Sequence, residues 1–169
     1  MPNIWPCTQA TDQLNTNMHR GFSQTCMRSI LLLPPHLIQQ TVTPEKITLK
    51  SIARIWKVWT VHRATDYYGP FPYSYIGYDS TVIPYDSQHD IYMDLFKELK
   101  EATNDLSANI NLESFGSADV IFGGDNTKWV KFANTLRLRL AMRISDVEPA
   151  MAKAEAEAAV AGGVMEDLS

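Results

Sequence analysis

"NTKWVKFANTLRLRLAMRI", Asn126 to Ile144, decides the fold. Trp129, Phe132, Ala133, Leu136, Leu140 and Ile144 recur at helical spacing, so one α-helix would carry them on a single face. Leu138 and Met142 make a second apolar patch on the opposite side. A helix that is apolar on two sides needs neighbours on two sides, which predicts packed helices around this one.

Downstream, "SDVEP" breaks the pattern, offers Asp146 as a cap and puts Pro149 in a first helical turn. The alanine-rich run that follows ends at Gly162-Gly163, which suits a helix C-cap, so a helix is predicted from about Val147 to Ala161. Upstream, Ser107 to Asn126 is polar and glycine-bearing and reads as a connection with a short turn of its own. Before it, Ile91, Leu95, Leu99, Ala102 and Leu106 share one face, with Asp94, Lys97, Glu98 and Glu101 on the other. Ser87, with Asp90 three residues on, resembles a capping box, which predicts a helix from Ser87 to about Leu106. A further helix is predicted from about Pro44 to Ala64, with Thr43 as cap and Glu45 in its first turn. Its apolar residues cover most directions and leave Lys50, Arg54 and Lys57 as a narrow polar strip, the pattern of a largely buried helix.

These helices imply an all-α fold of tetratricopeptide-like antiparallel pairs, although no strict 34-residue repeat is visible. Residues 1–43 hold no sustained period and form a poorly specified N-terminal segment, while 44–165 form the helical-repeat region. The 169 residues, 45% hydrophobic and 20% charged with a net charge of −4, have the composition of a folded chain, and nothing electrostatic points to nucleic acid. The short "ILLLPPHLI" run is too short to span a membrane, and Met1 to Ala10 shows neither an export signal nor a lipidation motif. Cys7 and Cys26 form no metal or disulfide framework and read as free thiols.

The candidate chemistry is sparse. Asp66, Asp79, Asp86 and Asp90 sit in or beside an aromatic loop, as a glycosidase's carboxylates would, but beside Tyr, Gly, Ser and Pro they read as turn and cap residues. His19, His36, His62 and His89 form no ligand cluster, so no metal and no cofactor is expected. "GGDNTK", Gly123 to Lys128, lacks the spacing of a phosphate loop. Arg137 and Arg139 flank the main apolar face of their helix, whereas Arg143 points into it and needs a carboxylate partner there. The loop itself carries Tyr67, Tyr68, Phe71, Tyr73, Tyr75, Tyr78 and Tyr85, which either pack over the helix ends or present rings and hydroxyls to a polar ligand such as a sugar.

Three segments stand in order: "TDYYGPFPY" from Thr65, "YDSQHDIYMDLFKELKEA" from Tyr85, and "GGDNTKWVKFANTLRLRLAMRI" from Gly123. Together they resemble the SusD/RagB family of Bacteroidota nutrient-binding outer-membrane lipoproteins, in its SusD-like branch. The resemblance rests on Asp66, Tyr68, Gly69, Pro72 and Tyr73; on Tyr85, Asp86, Gln88, Ile91 and Tyr92; and on Gly124, Asp125, Trp129, Phe132, Asn134, Leu136, Arg137, Arg139 and Arg143. It runs from about Ile47 to Met165.

The resemblance implies a non-catalytic protein of the cell surface that binds glycans or other nutrients beside a TonB-dependent transporter of the SusC type. It implies a structural role for Asp66, Gly69, Pro72, Trp129, Asn134, Arg137, Arg139 and Arg143, and leaves Tyr67, Tyr68, Tyr73 and Tyr75 as ligand-binding candidates. Family members are several times longer, so the resemblance also implies a partial chain. A helical-repeat adaptor that binds protein, and a fragment without function, are the alternatives.

Overall fold

The computed structural model describes residues 46–74 and 84–166. Four helices follow one another: α1 (Ile47–Tyr68), α2 (Gln88–Ala108), α3 (Asn126–Arg143) and α4 (Pro149–Ala161), with a 3₁₀ turn at Gly116–Ala118 between α2 and α3. The only extended pairing among the described residues is one isolated antiparallel bridge, Phe71 with Asp86.

Side-chain bonds give the directions of the helices. Gln88 Nε2 donates to the Thr65 carbonyl at 2.8 Å near the end of α1 and the start of α2. Thr48, near the start of α1, donates to the Glu113 carbonyl beyond the end of α2. The two helices are therefore antiparallel. In the second pair Arg137 bonds Glu155, and Asn134, a turn earlier in α3, donates to the carbonyls of Gly162 and Gly163 at 2.8 and 3.0 Å. α2 and α3 join the pairs into one layer, and α1 also touches α3.

The core lies between these faces. Ile55, Val58, Ile91, Tyr92, Leu95, Leu99, Leu106, Leu140 and Ile144 are almost wholly buried, and each large apolar side chain so placed contributes about 1.5–3 kcal/mol. α1 buries a single stripe through Ser51, Ile55, Val58, His62 and Thr65, which is less than the largely buried helix its composition suggests. Trp56 and Trp59 are half-buried instead, and stack on each other with ring centroids 4.8 Å apart. The expected polar strip has a partner: Arg54 reaches Glu98 at 2.5 Å, bonds Glu101 and lies 3.7 Å from Asp105, while Lys57 lies 3.4 Å from Glu98.

Two boundaries differ from expectation. α1 runs one turn beyond Ala64 to Tyr68, because Thr65 and Asp66 find partners on neighbouring helices and the polar turn stays helical. α4 begins at Pro149, and its N-cap is Glu148 without a side-chain bond, so Asp146 does not cap it. The expected caps Thr43, Pro44 and Glu45 lie outside the described residues. α2 begins as its sequence indicates: Ser87 Oγ accepts from the Asp90 N–H at 3.1 Å. The second apolar patch of α3 is covered only in part: Leu138 is half-buried and Met142 is 64% exposed. No described helix is long and apolar enough to cross a membrane.

Candidate ligand surface

The aromatic loop leaves α1 at Gly69, whose φ of +75° is open to glycine and costly for other residues. Its N–H donates to the Thr65 carbonyl at 2.8 Å, and Thr65 Oγ1 donates back to the Gly69 carbonyl at 3.0 Å. Both ends of the loop are then pinned. Asp86 N donates to the Phe71 carbonyl at 3.0 Å, and the Asp86 carboxylate accepts from Ser74 N at 2.7 Å and Ser74 Oγ at 2.9 Å. Phe71 and Tyr73 are buried edge to face with half-buried Pro72 between them. The Tyr73 hydroxyl donates to Asp94 Oδ2 at 2.6 Å, and Lys57 Nζ sits 5.0 Å from its ring centroid. Burial, then the bond to Asp94, pushes the Tyr73 phenol far above its ordinary value.

A polar knot joins three helices beneath the loop. Tyr92 of α2 donates its hydroxyl to Asp66 of α1, and Arg143 Nε of α3 lies 3.3 Å from the other Asp66 oxygen. Burial, then the bond to Asp66, raises the Tyr92 phenol. Arg143 thus has the carboxylate partner its place on the apolar face requires. Asp66 is an inter-helix anchor within α1 and not a turn residue, whereas Asp86 and Asp90 are loop and cap residues as expected. Asp79 and Tyr75 lie outside the described residues.

Other motif residues have structural partners as well. Trp129 is buried and donates from Nε1 to Asp119 Oδ2 at 2.6 Å. Asp119 also accepts from the backbone of Ile121, Phe122 and Gly124 at 3.0–3.1 Å. Burial by itself would raise this carboxyl; the four N–H donors outweigh it and hold Asp119 below the usual carboxylate range. Sequence reasoning missed Asp119, whose partner lies 10 residues away and leaves no local signal. Arg139 is exposed on α3; burial lowers the pKa of His62, and the Arg139 charge adds to that lowering.

A ridge on α1 runs from half-buried indoles on the core to an exposed ring. Trp56, Trp59, Arg63 and Tyr67 fall within roughly 80° on the helical wheel. The Arg63 guanidinium lies 4.9 Å from the Trp59 centroid, so the stacked indoles hold a cation beside Tyr67. Tyr67 is 82% exposed and meets the Tyr68 ring edge-on at 5.0 Å, while Tyr85, across the loop, is 70% exposed. Exposed rings beside fixed donors stack on and hydrogen-bond a sugar; they supply no nucleophile with a base. Among the described residues no group of three His, Cys, Asp or Glu could hold a metal ion.

Comparisons with known proteins place this geometry. The family described as "SusD-like: Susd and RagB outer membrane lipoprotein" matches residues 8–169. A SusD homolog from Bacteroides uniformis is 43% identical, with a TM-score of 0.71 over 84% of this chain and 29% of its own. A chitin-binding SusD homolog from Flavobacterium johnsoniae is 39% identical, with a TM-score of 0.77 over 85% of this chain and 31% of its own. A SusD-like protein from Bacteroides thetaiotaomicron is 30% identical, with a TM-score of 0.70 over 90% of this chain and 31% of its own. No curated protein matches.

The chain belongs to the SusD-like family, whose members are non-catalytic carbohydrate-binding proteins with all-α, tetratricopeptide-like folds. It spans less than a third of the length of these solved relatives.

Proposed function

We propose that this chain is the helical part of a glycan-binding protein of the outer membrane, displayed at the cell surface, that holds oligosaccharide without turning it over. The observation that carries the reading is Tyr67, an exposed ring in the last turn of α1, one turn from an arginine held over a tryptophan stack. Tyr68 lies beside that surface, Tyr75 remains a ligand-binding candidate, and Tyr73 serves the surface by anchoring the loop to Asp94. Family membership and the chitin-binding relative support a glycan as ligand. A starch- or chitin-type oligosaccharide is the ligand class, and a TonB-dependent transporter of the SusC type is the partner. Residues 44–165 are the helical-repeat unit that serves both, and 1–43 the poorly specified N-terminal segment.

Calorimetric titration with malto- and chito-oligosaccharides, with and without Tyr67→Ala, tests the binding, and release of reducing ends would contradict its non-catalytic character. A second reading, a helical adaptor for protein, draws on Met142 and Val160, which are 64% and 57% exposed on α3 and α4. Capture of a protein partner that added sugar leaves unchanged, with no sugar binding by the chain, would favour the adaptor.

A further inference from the structure

At the end of the layer away from Tyr67, the connection between α2 and α3 folds into a cup. Residues 110–117 and 124–127 line an open depression of about 590 Å³, within the range of about 300–1,000 Å³ usual for small-molecule sites. Close backbone contacts and side-chain bonds frame the cup. Gly116 and Gly124 both have positive φ, 51° and 86°, and a Cβ on Gly124 would come within 2.8 Å of the Gly116 backbone. Asn126 Nδ2 clamps the far wall by donating to the carbonyls of Ile110 at 2.9 Å and Leu112 at 3.1 Å. Thr48 fixes the Glu113 carbonyl from α1, and Asp119 gathers the backbone between the two walls.

Two polar groups in this lining have no use within the described protein. Asn126 is 6% exposed, and with Nδ2 committed to carbonyls its Oδ1 accepts from no described residue. Ser114 Oγ, also buried, has no described partner either. A buried acceptor and a buried hydroxyl left unmatched beside one cavity are rare in a folded protein. Phe115 and Leu112, 42% and 40% exposed, add an apolar wall. The ionisable lining residues are Glu113 and Asp125, both acidic, and Asp125 already caps the N–H groups of Thr127 and Lys128. Carboxylates without a cation beside them disfavour an anionic guest.

We propose that this cup is a second ligand subsite that takes one neutral, hydroxyl-bearing sugar unit. Its hydroxyls meet Asn126 Oδ1 and Ser114 Oγ, and Phe115 covers the apolar face of the ring. The choice of sugar rests on the glycan-binding reading above; the position of the cup does not. Both oxygens lie below the lining surface, so the turn from Asn111 to Ser114 yields slightly on binding, and its amides register the event.

Two-dimensional amide NMR on the full chain tests this, with N,N′-diacetylchitobiose, maltose and sodium glucuronate as separate titrants. The expected result is saturable shifts at Asn111–Gly116 and Gly124–Thr127 with a neutral sugar, weaker by about tenfold or more for glucuronate. Phe115→Ala and Ser114→Ala, each checked for an otherwise unchanged spectrum, weaken those shifts, and Tyr67→Ala leaves them. Shifts at Thr65–Tyr68 alone overturn the cup and keep the α1 surface; shifts at the cup alone do the reverse. No shift at either overturns both. An equal response to glucuronate, or indifference to both cup variants, also overturns the cup.

Discussion

The Asp119 carboxylate accepts from the Trp129 indole at 2.6 Å, and that bond fastens the α2–α3 connection to the buried face of α3. Removing the carboxylate takes away both oxygens, so Trp129 Nε1 and three backbone N–H groups all lose their acceptor. Asp119→Ala is expected to cost about 2–4 kcal/mol in urea unfolding. Asp119→Asn keeps one carbonyl oxygen and is expected to cost less.

Acid acts on the same group. The folded Asp119 titrates below its unfolded value, so its contribution is complete above the unfolded pKa, about 3.9, and is lost as pH falls through the lower folded value. Urea midpoints of the chain and of Asp119→Asn are expected to converge as pH drops below about 4. Parallel curves would contradict the account.

His62 adds a pH dependence at higher pH. Burial is the first cause of its lowered pKa; its Nδ1 meets the Val58 carbonyl at 3.2 Å, and Asp66 offsets part of the shift. The unfolded ring takes up its proton first as pH falls, so stability is full above about pH 6.5 and declines towards the lower folded value. His62→Gln is expected to flatten the unfolding midpoint between about pH 7 and pH 5.

Asn134 ties the end of α4 to α3 through both glycine carbonyls. A Cβ on Gly162 would approach Asn134 Nδ2 to 2.8 Å, so this joint accepts little change. Asn134→Ala is expected to cost about 1–3 kcal/mol and to release amide protection in α4 before α1 and α2 in hydrogen exchange. Uniform loss of protection would contradict the separate role of this joint.

Arg54, with a side chain 12% exposed, faces three α2 carboxylates. Glu98 is held below its ordinary value despite burial, first by Lys57 and then by Arg54. Arg54→Met is expected to cost about 1–3 kcal/mol, between an exposed pair and a fully buried one. The difference should shrink in molar salt, which screens the exposed Glu101 and Asp105 contacts.

How far the sequence carries depends on whether a residue's partner is local. α2 is legible because its apolar face and the Ser87 cap lie within one element, and Arg143 announces its carboxylate partner by its place on an apolar face. The last turn of α1 is not legible, because Thr65 and Asp66 are polar residues held helical by Gln88 and Tyr92 on α2. The Trp56–Trp59–Arg63 stack was hidden for a related reason: wheel position shows which residues are neighbours, but not that α1 turns only one stripe inward. Among the tyrosines, sequence offers Tyr67 and Tyr73 equally; only the fold buries one against Asp94 and leaves the other outside.

Calorimetric titration of the full chain with chitotriose and maltotriose, repeated on Tyr67→Ala and Tyr73→Phe, tests the central claim most directly. The account predicts saturable binding of at least one sugar with no hydrolysis, weakened about fivefold or more by Tyr67→Ala and less by Tyr73→Phe, which removes only the loop's anchor to Asp94. Absence of heat with either sugar, or binding indifferent to Tyr67→Ala, would contradict it.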